Sequence, residues 1–329
     1  MSIMKTYIYP HMHRIRKLRI DVRFSSSLPS FPHDIHGVTT NLVYLELSCR
    51  EDDGGRTLPT NNRELVSSTQ HQYPALSTLF IDGRNYYNAC KNPAEWADMV
   101  ANVNDLAISR YRPRAGESFW LRDFILPLRT MVRLDHLKIT DLALCTSASR
   151  FEPPLVSPPW LNVLSYFGLS DFADFELIAE LFDFLSVAWE VAVFRCALGD
   201  LVDFVENMYL KLNGIDANQD LTSFLYAWEG NMLDIVDCLG FTDDVLDKMG
   251  AQENGVFMCA RLMNNLDIVN CPNFSVAALK RLVAARLTAP FHPDHGPRME
   301  YVHVSGHVPD LSPEDRLWFN ENVPEFEYT

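Results

Sequence analysis

The residues best suited to chemistry are histidine and aspartate side chains near the end of the chain. His292, Asp294, His295, His303 and His307 lie within 16 residues of one another. Imidazole nitrogens and carboxylates are zinc ligands, so a zinc site can be drawn from this group. Spacing alone does not make a tetrahedral site. His303 and His307 fall at repeat positions, and His292, Asp294 and His295 lie in a proline-flanked loop, so the placement of these residues does not favour a metal. We therefore expect neither a metal nor any other cofactor.

The cysteines offer a second kind of chemistry. The chain has seven, an odd number, with no C-x-x-C pair and no secretory signal before them. This usage is typical of buried thiols in a reducing compartment, and we expect a cytoplasmic or nuclear protein. The sequence contains no glycine-rich phosphate loop, G-x-S-x-G elbow or H-E-x-x-H motif, so we expect a protein that is not an enzyme.

Charge is distributed unevenly along the chain. Residues 1–150 hold 19 basic and 15 acidic residues, whereas 151–329 hold 9 basic and 28 acidic residues. The acidic half is expected to repel nucleic acid, so we expect no nucleic-acid partner. The most apolar region, 177–193, is interrupted by Glu180, Asp183 and Glu190, so it does not read as a membrane span.

The stretch 263–286 shows which elements carry these side chains. Met263, Leu266, Ile268 and Cys271 fit the strand half of a leucine-rich repeat, L-x-x-L-x-L-x-x-C. The period then changes to that of a helix, with Ser275 as a plausible N-cap. One strand–helix coil cannot bury its own apolar side, so the pattern predicts neighbouring coils.

Ten segments match this template, with first positions 27 to 42 residues apart: Ile15, Leu42, Leu76, Val103, Leu134, Leu161, Ala188, Gly230, Met263 and Met299. The pattern predicts an α/β fold, a leucine-rich-repeat solenoid with a curved, mainly parallel sheet on its concave side and helices on its convex side. We interpret 1–329 as one continuous solenoid of about ten irregular repeats. A proline-rich stretch at 147–159 is a possible bend, and 308–329 is a C-terminal cap.

Several segments resemble a known family. They read LDIVNCPNFS at 266–275, HVSGH at 303–307 and LSPED at 311–315, and LDIVDC at 233–238 is similar to the cysteine-containing repeats of F-box proteins. Together they resemble the leucine-rich-repeat part of the F-box-like families of mushroom-forming fungi. In that family an N-terminal F-box binds the Skp adaptor of a cullin-type (SCF) ubiquitin ligase, and the repeats hold the substrate.

The chain departs from that family at its first residues. The repeats begin at Ile15, so we expect no F-box within this chain, and a Skp-type adaptor is expected only if an F-box lies upstream. The resemblance implies a protein–protein interaction module that recognises substrates for the ligase. The alternative is a free-standing leucine-rich-repeat scaffold or inhibitor with no link to a ligase.

The template also predicts which side chains face a partner. In each strand the residue between the two buried positions points to the concave surface. These residues and their neighbours are expected to run from a partly basic region through an aromatic middle to an acidic end formed by Asp234, Asp237 and Asp267. We expect a protein partner to bind at Arg19, Lys138, Phe167, Trp189, Phe194, Asp234, Asp237, Asp267 and His303.

Overall fold

A computed structural model of the chain describes residues 4–32, 34–35, 39–54, 73–146, 163–199, 208–288 and 298–329. The chain forms two compact units, Met1–Leu164 and Ser165–Thr329. Each unit is built from parallel strands, with helices in the segments between them. The predicted α/β leucine-rich-repeat class is confirmed in both units. The proline-rich stretch 147–159 lies outside the described residues, and the single-solenoid description of 1–329 stays a prediction.

In its described residues the first unit has five strands in chain order: β1 (Lys17–Phe24), β2 (Tyr44–Glu51), β3 (Thr78–Asp82), β4 (Asp105–Tyr111) and β5 (His136–Leu142). Every pairing among them is parallel. Its α-helices are α1 (Gly83–Cys90), α2 (Pro93–Val100) and α3 (Leu121–Leu128). Short helical turns occupy Met4–Ile8, Tyr9–Arg14 and Ser25–Ser27.

The described part of the second unit carries seven strands that follow one another in space as they do in the chain. They are β6 (Leu164–Ser170), β7 (Val187–Phe194), β8 (Tyr209–Asn213), β9 (Met232–Val236), β12 (Asn265–Val269), β13 (Tyr301–Ser305) and β14 (Glu325–Tyr328). A small antiparallel hairpin, β10 (Gln252–Glu253) with β11 (Val256–Phe257), interrupts the series. The helices are α4 (Phe175–Phe184), α5 (Leu221–Tyr226), α6 (Asp243–Gly250), α7 (Val276–Thr288) and α8 (Pro313–Asn322).

Two apolar positions of each strand build the core. The residues at the first position pair in register across the second unit and are all fully buried: Val191, Leu210, Leu233, Leu266 and Val302. The second aligns another fully buried set: Val193, Leu212, Ile235, Ile268 and Val304. Side chains alternate across a strand, so the residues between these positions lie on the opposite face. We call this opposite surface the open face of each unit.

A left-handed residue ends most of the coils. It comes two positions after the second buried residue of the strand, as at Asp237 (φ 52°) and Asn270 (φ 55°). The full set is Arg110, Asp141, Asp171, Arg195, Gly214, Asp237, Asn270 and Gly306. In the second unit the N–H of Asp237 bonds to Val269 O, and that of Asn270 bonds to Ser305 O. The chain therefore turns out of each strand without leaving that amide unpaired.

Three helix starts, those of α4, α7 and α8, follow the capping pattern in the sequence. Ser312 caps α8, because its hydroxyl accepts from the Asp315 amide and Pro313 occupies the first helical position. Ser275 likewise accepts from the Ala278 amide at the start of α7, at 3.1 Å. Asp174 caps α4. These caps fix where the chain leaves the sheet, and so they fix the length of each coil.

Candidate protein-interaction surface

The open face of the first unit carries the predicted middle residues of its five strands in one row. Cross-strand pairing aligns them one by one: Arg19, Glu46, Phe80, Ala107 and Lys138. Arg19 and Lys138 are both exposed, at opposite ends of this row. The structure therefore places both predicted residues on one surface.

Contacts within the first unit order part of this row. Arg19 Nε lies 3.2 Å from Glu46 Oε1, and the Tyr44 hydroxyl donates to Glu46 Oε2 at 2.6 Å. The Tyr44 and Phe80 rings meet edge to face, with centroids 5.4 Å apart. Glu46 is buried beneath these partners, so its charge is already compensated. Lys138 and the aromatic pair remain the features of this face best suited to a partner.

The open face of the second unit has a different character. Register aligns the middle residues of its last six strands: Ala192, Lys211, Asp234, Asp267, His303 and Glu327. Flanking positions add Glu190 and Glu325. These two rows thus bring together five carboxylates and one lysine, so the face is acidic.

The predicted acidic residues on this face have partners within the chain. The Tyr209 hydroxyl donates to Asp234 Oδ2, and Lys211 Nζ lies 3.9 Å from the same oxygen. Burial raises the pKa of the Asp234 carboxyl above its usual range, an effect that the Tyr209 hydrogen bond opposes. His303 Nδ1 lies 2.7 Å from Asp267 Oδ1. The two carboxylates are therefore held in fixed positions rather than freely solvated.

Apolar side chains run beside the acidic row. Phe194, Val236 and Val269 lie on the same open face, one alternation further along their strands, and each is partly exposed. At the other end of the strands, Tyr209 and Met232 also lie on this face and are partly exposed. Exposed aromatic and methionine side chains beside charges are typical of protein-binding surfaces.

Three predicted site residues do not lie on this face. Trp189 is exposed, but it lies two positions before the buried Val191 and therefore on the same side of β7 as the core positions. Phe167 is fully buried and packs edge to face on Phe182, with centroids 5.7 Å apart. Its placement was wrong because β6 uses Leu164, Phe167 and Leu169 as its buried set, three residues later than the predicted frame. Asp237 is exposed but has φ 52°, so it lies in the turn at the strand end.

Sequence reasoning missed several residues of the face. Lys211 lies on β8 and Glu327 on β14, two strands absent from the ten template matches. Gly168 takes the open-face position on β6, where a Cβ would lie 2.8 Å from the Tyr166 hydroxyl. The template fits β14 when aromatic residues are allowed at its leucine positions, which are then Val323, Phe326 and Tyr328. This spacing was the signal in the sequence from which β14 could have been predicted.

A buried ion cluster in the first unit was also missed. Arg84 is 5% exposed and lies 3.2 Å from Asp52 Oδ2 and 2.5 Å from Glu117 Oε2. The Arg112 amide donates to Asp52 at 2.7 Å. The ion pairs of this cluster connect α1 to the segments that follow β2 and β4. Its members are 32 and 33 residues apart in the chain, so no local pattern predicts it.

Cysteine, histidine and acidic side chains are the remaining candidates for chemistry. Burial raises the pKa of the Cys196 and Cys271 thiols to about 11 and that of Cys238 to about 12, so these sulfurs stay protonated at neutral pH. Within the described ranges, no three histidine, cysteine or acidic side chains are grouped as a metal site. His292, Asp294 and His295 lie outside those ranges.

A hollow of about 360 Å³ lies at the carboxyl ends of the strands in the second unit. Its polar lining includes Asp171 and Arg195, which form a two-point ion pair at 2.7 and 2.8 Å. Both charges are thus paired with each other. The hollow therefore ranks below the open face as a binding surface.

Comparisons with protein-family models, curated proteins and solved structures find no match to this chain. Among the described helices, none combines the length and the apolar composition that crossing a bilayer requires.

Proposed function

We propose that this chain is a protein-binding module that uses the open face of its parallel sheet. The observation that carries the proposal is the in-register rows of charged and aromatic side chains on the face opposite the apolar core. Fixed, partly exposed side chains lose little conformational entropy when a partner binds. A sheet face of this kind therefore offers a prepared surface rather than one that must be ordered on contact.

The proposal also rests on the composition of the face. Phe194, Tyr209 and Tyr301 supply aromatic area, and charged residues lie beside them. Aromatic anchors within a polar rim are the usual composition of interface hot spots.

Quantitative capture of partners from the cells of origin tests this proposal. In the first unit the face variant is Arg19→Gln with Lys138→Gln, and in the second it is Phe194→Ala with Asp267→Asn. The matched controls, at exposed residues on or next to helices, are Arg122→Gln with Arg133→Gln, and Leu317→Ala with Asp244→Asn. We expect at least one face variant to lose a specific protein that its control retains. Equal retention by both face variants and both controls would exclude the open faces as the binding surface.

The resemblance to the repeats of F-box-like proteins extends the proposal to substrate recognition for a cullin-type ubiquitin ligase. In that case depletion of the protein should raise the abundance of its captured partner, and a proteasome inhibitor should abolish the difference. A Skp-type adaptor should then accompany the full-length gene product. A partner whose abundance and ubiquitination do not change would favour the alternative, a free-standing scaffold or inhibitor.

A further inference from the structure

The carboxylates of the second unit form a row with a defined spacing. Asp234 pairs in register with Asp267 on the next strand, Asp267 with His303, and His303 with Glu327. Neighbouring strands lie about 4.8 Å apart. The row therefore offers carboxylates at about 0, 5 and 14 Å along a line that crosses the strands. Side-chain exposure is 17% at Asp234 and 28% at Asp267, and Glu327 is exposed.

Apolar and aromatic side chains flank this row on both sides. Phe194, Val236 and Val269 lie towards the carboxyl ends of the strands. Tyr209, Met232 and Tyr301 lie towards the amino ends and are partly exposed. A partner that rests on the row would therefore meet apolar contacts along both of its sides. This surface is a polar line whose two borders carry apolar side chains, with Glu190 and Glu325 at the ends of the amino-side border, rather than an isolated acidic cluster.

The spacing of the row selects one form of partner. On one side of an α-helix, residues i, i+3, i+7 and i+10 recur at about 0, 4.5, 10.5 and 15 Å, since the rise is about 1.5 Å per residue. An extended segment repeats same-side residues every 6.6 to 6.8 Å, which does not match strands about 4.8 Å apart. A helix lying across the strands thus places basic side chains opposite Asp234, Asp267 and Glu327 together.

The charges already present leave room for such a partner. Lys211 is the one lysine in the two rows, and at 3.9 Å its contact with Asp234 is at the outer limit of an ion pair. His303 lies beside Asp267. Glu190, Glu325 and Glu327 add carboxylates along the edges. The face therefore keeps an excess of negative charge that a cationic partner would offset.

We propose that the open face of 165–329 binds an amphipathic basic helix of a partner protein, with Lys or Arg at i, i+3, i+7 and i+10. This inference rests on the proposed function, because it names the partner class of the same surface. The helix lies across strands β9, β12, β13 and β14, and its apolar flanks contact the two borders.

Synthetic peptides and the whole chain test the inference. The first peptide is a stapled, roughly 16-residue helix with lysines at i, i+3, i+7 and i+10. The second has the same composition and staple, with the lysines distributed around the helix. The protein variants are Asp234→Asn, Asp267→Asn, Glu327→Gln on the face and Asp244→Asn, Glu314→Gln, Glu321→Gln at exposed helix positions. The face changes are isosteric, so Asn at position 234 can still accept from Tyr209.

We expect the first peptide to bind about tenfold more tightly than the second, with the difference shrinking as salt is added. The face variant should remove that preference, and the helix-side variant should keep it. Equal affinity of the two peptides, or an unchanged preference in the face variant, would overturn the inference. If the peptides bind equally while Phe194→Ala with Asp267→Asn still loses a captured protein, the proposed function stands and only the basic-helix partner fails.

Discussion

Arg286 places a positive charge in the interior of the second unit. It is fully buried and donates to four main-chain carbonyls, those of Met249, Cys259, Ala260 and Met263, at 2.8 to 3.3 Å. Its guanidinium lies 4.3 Å from the centre of the Phe257 ring. Burial lowers its pKa to about 10, so it stays charged at neutral pH. One side chain thus connects α7 to α6 and to the turn after the β10–β11 hairpin.

Replacing Arg286 should therefore be costly. Arg286→Met leaves four buried carbonyls without these donors, and we expect a loss of about 3–5 kcal/mol in the free energy of unfolding. The matched control is Arg281→Met on the same helix, which breaks only an exposed ion pair to Asp247 and should cost far less than Arg286→Met. Urea unfolding measures both. Similar losses for the two variants would contradict the role assigned to Arg286.

Asp82 combines a capping role with a buried charge. It is 1% exposed, and its carboxylate accepts from the Arg84 and Asn85 amides at the start of α1. Burial raises its pKa from 3.8 to about 6, although these hydrogen bonds oppose the shift. Between those values the folded state binds more protons than the unfolded state. The stability that protonation of Asp82 contributes is therefore complete below pH 3.8 and is lost as the pH rises through about 6.

Asp82→Asn should remove that dependence on pH. Asparagine can still cap the helix, so the informative quantity is the difference in unfolding free energy between the variant and the parent across the pH range. We expect this difference to shift in favour of the variant by up to about 3 kcal/mol between pH 4 and pH 7. Urea titrations at several pH values measure it. A difference that does not change with pH would show that Asp82 is ionised without penalty.

The left-handed turn directly after β13 requires a residue without a side chain. Gly306 has φ +80°, and a Cβ there would lie 2.0 Å from Asn270 Oδ1. Asn270 Oδ1 also accepts from the His307 amide at 3.0 Å, which holds it in this position. Neighbouring coils are thus connected at this edge by a close approach that only glycine permits.

Gly306→Ala should be more destabilising than its φ angle alone implies. Gly116 has a similar φ of +77°, and its Cβ position has no described atom within 4 Å. We expect Gly116→Ala to cost about 1 kcal/mol, because only the backbone is strained. Gly306→Ala should cost at least about 1 kcal/mol more, since Asn270 must also move. Thermal or urea unfolding gives both values, and equal costs would exclude the contact.

The sequence predicts the coils best where both the leucine spacing and the caps are intact. The stretch 263–286 gave its strand, its helix and the Ser275 cap, and these agree with β12 and α7. Strand β8 was not among the ten predicted repeats because the first leucine position of the template falls on Asn207, a polar residue. Only Leu210 and Leu212 then match the template. On β6, Leu164 fits two frames. Packing of Phe167 and the left-handed turn at Asp171 select the later one, and neither is visible in spacing.

The open face was only partly predictable. The register of Asp234, Asp267 and His303 follows from aligning their repeats, and the structure confirms that alignment. Their partners do not follow, because Tyr209 and Lys211 lie on the overlooked strand. The Asp52–Arg84–Glu117 cluster forms only when distant segments fold together. Local pattern thus gives the positions of a solenoid face, whereas the charges around them depend on every coil.

The two units present different surfaces to a partner. In the first, Arg19 is paired with Glu46, and Lys138 adds a positive charge. In the second, carboxylates outnumber the single lysine of the aligned rows. The uneven charge of the sequence is thus also found on the open faces. A partner selected by charge should therefore distinguish the two faces, and a basic partner should prefer the second.

Hydroxyl-radical footprinting of the whole chain, with and without the partner found by differential capture, tests the binding face most directly. If the open face of the second unit binds the partner, then Phe194, Tyr209, Met232 and Tyr301 should lose reactivity in the complex. Tyr226 and Met258 are exposed on α5 and beside the β10–β11 hairpin, and should keep theirs. Protection confined to Tyr226, Met258 or other helix-side residues, with the sheet residues unchanged, would contradict the assignment of the open face as the interaction surface.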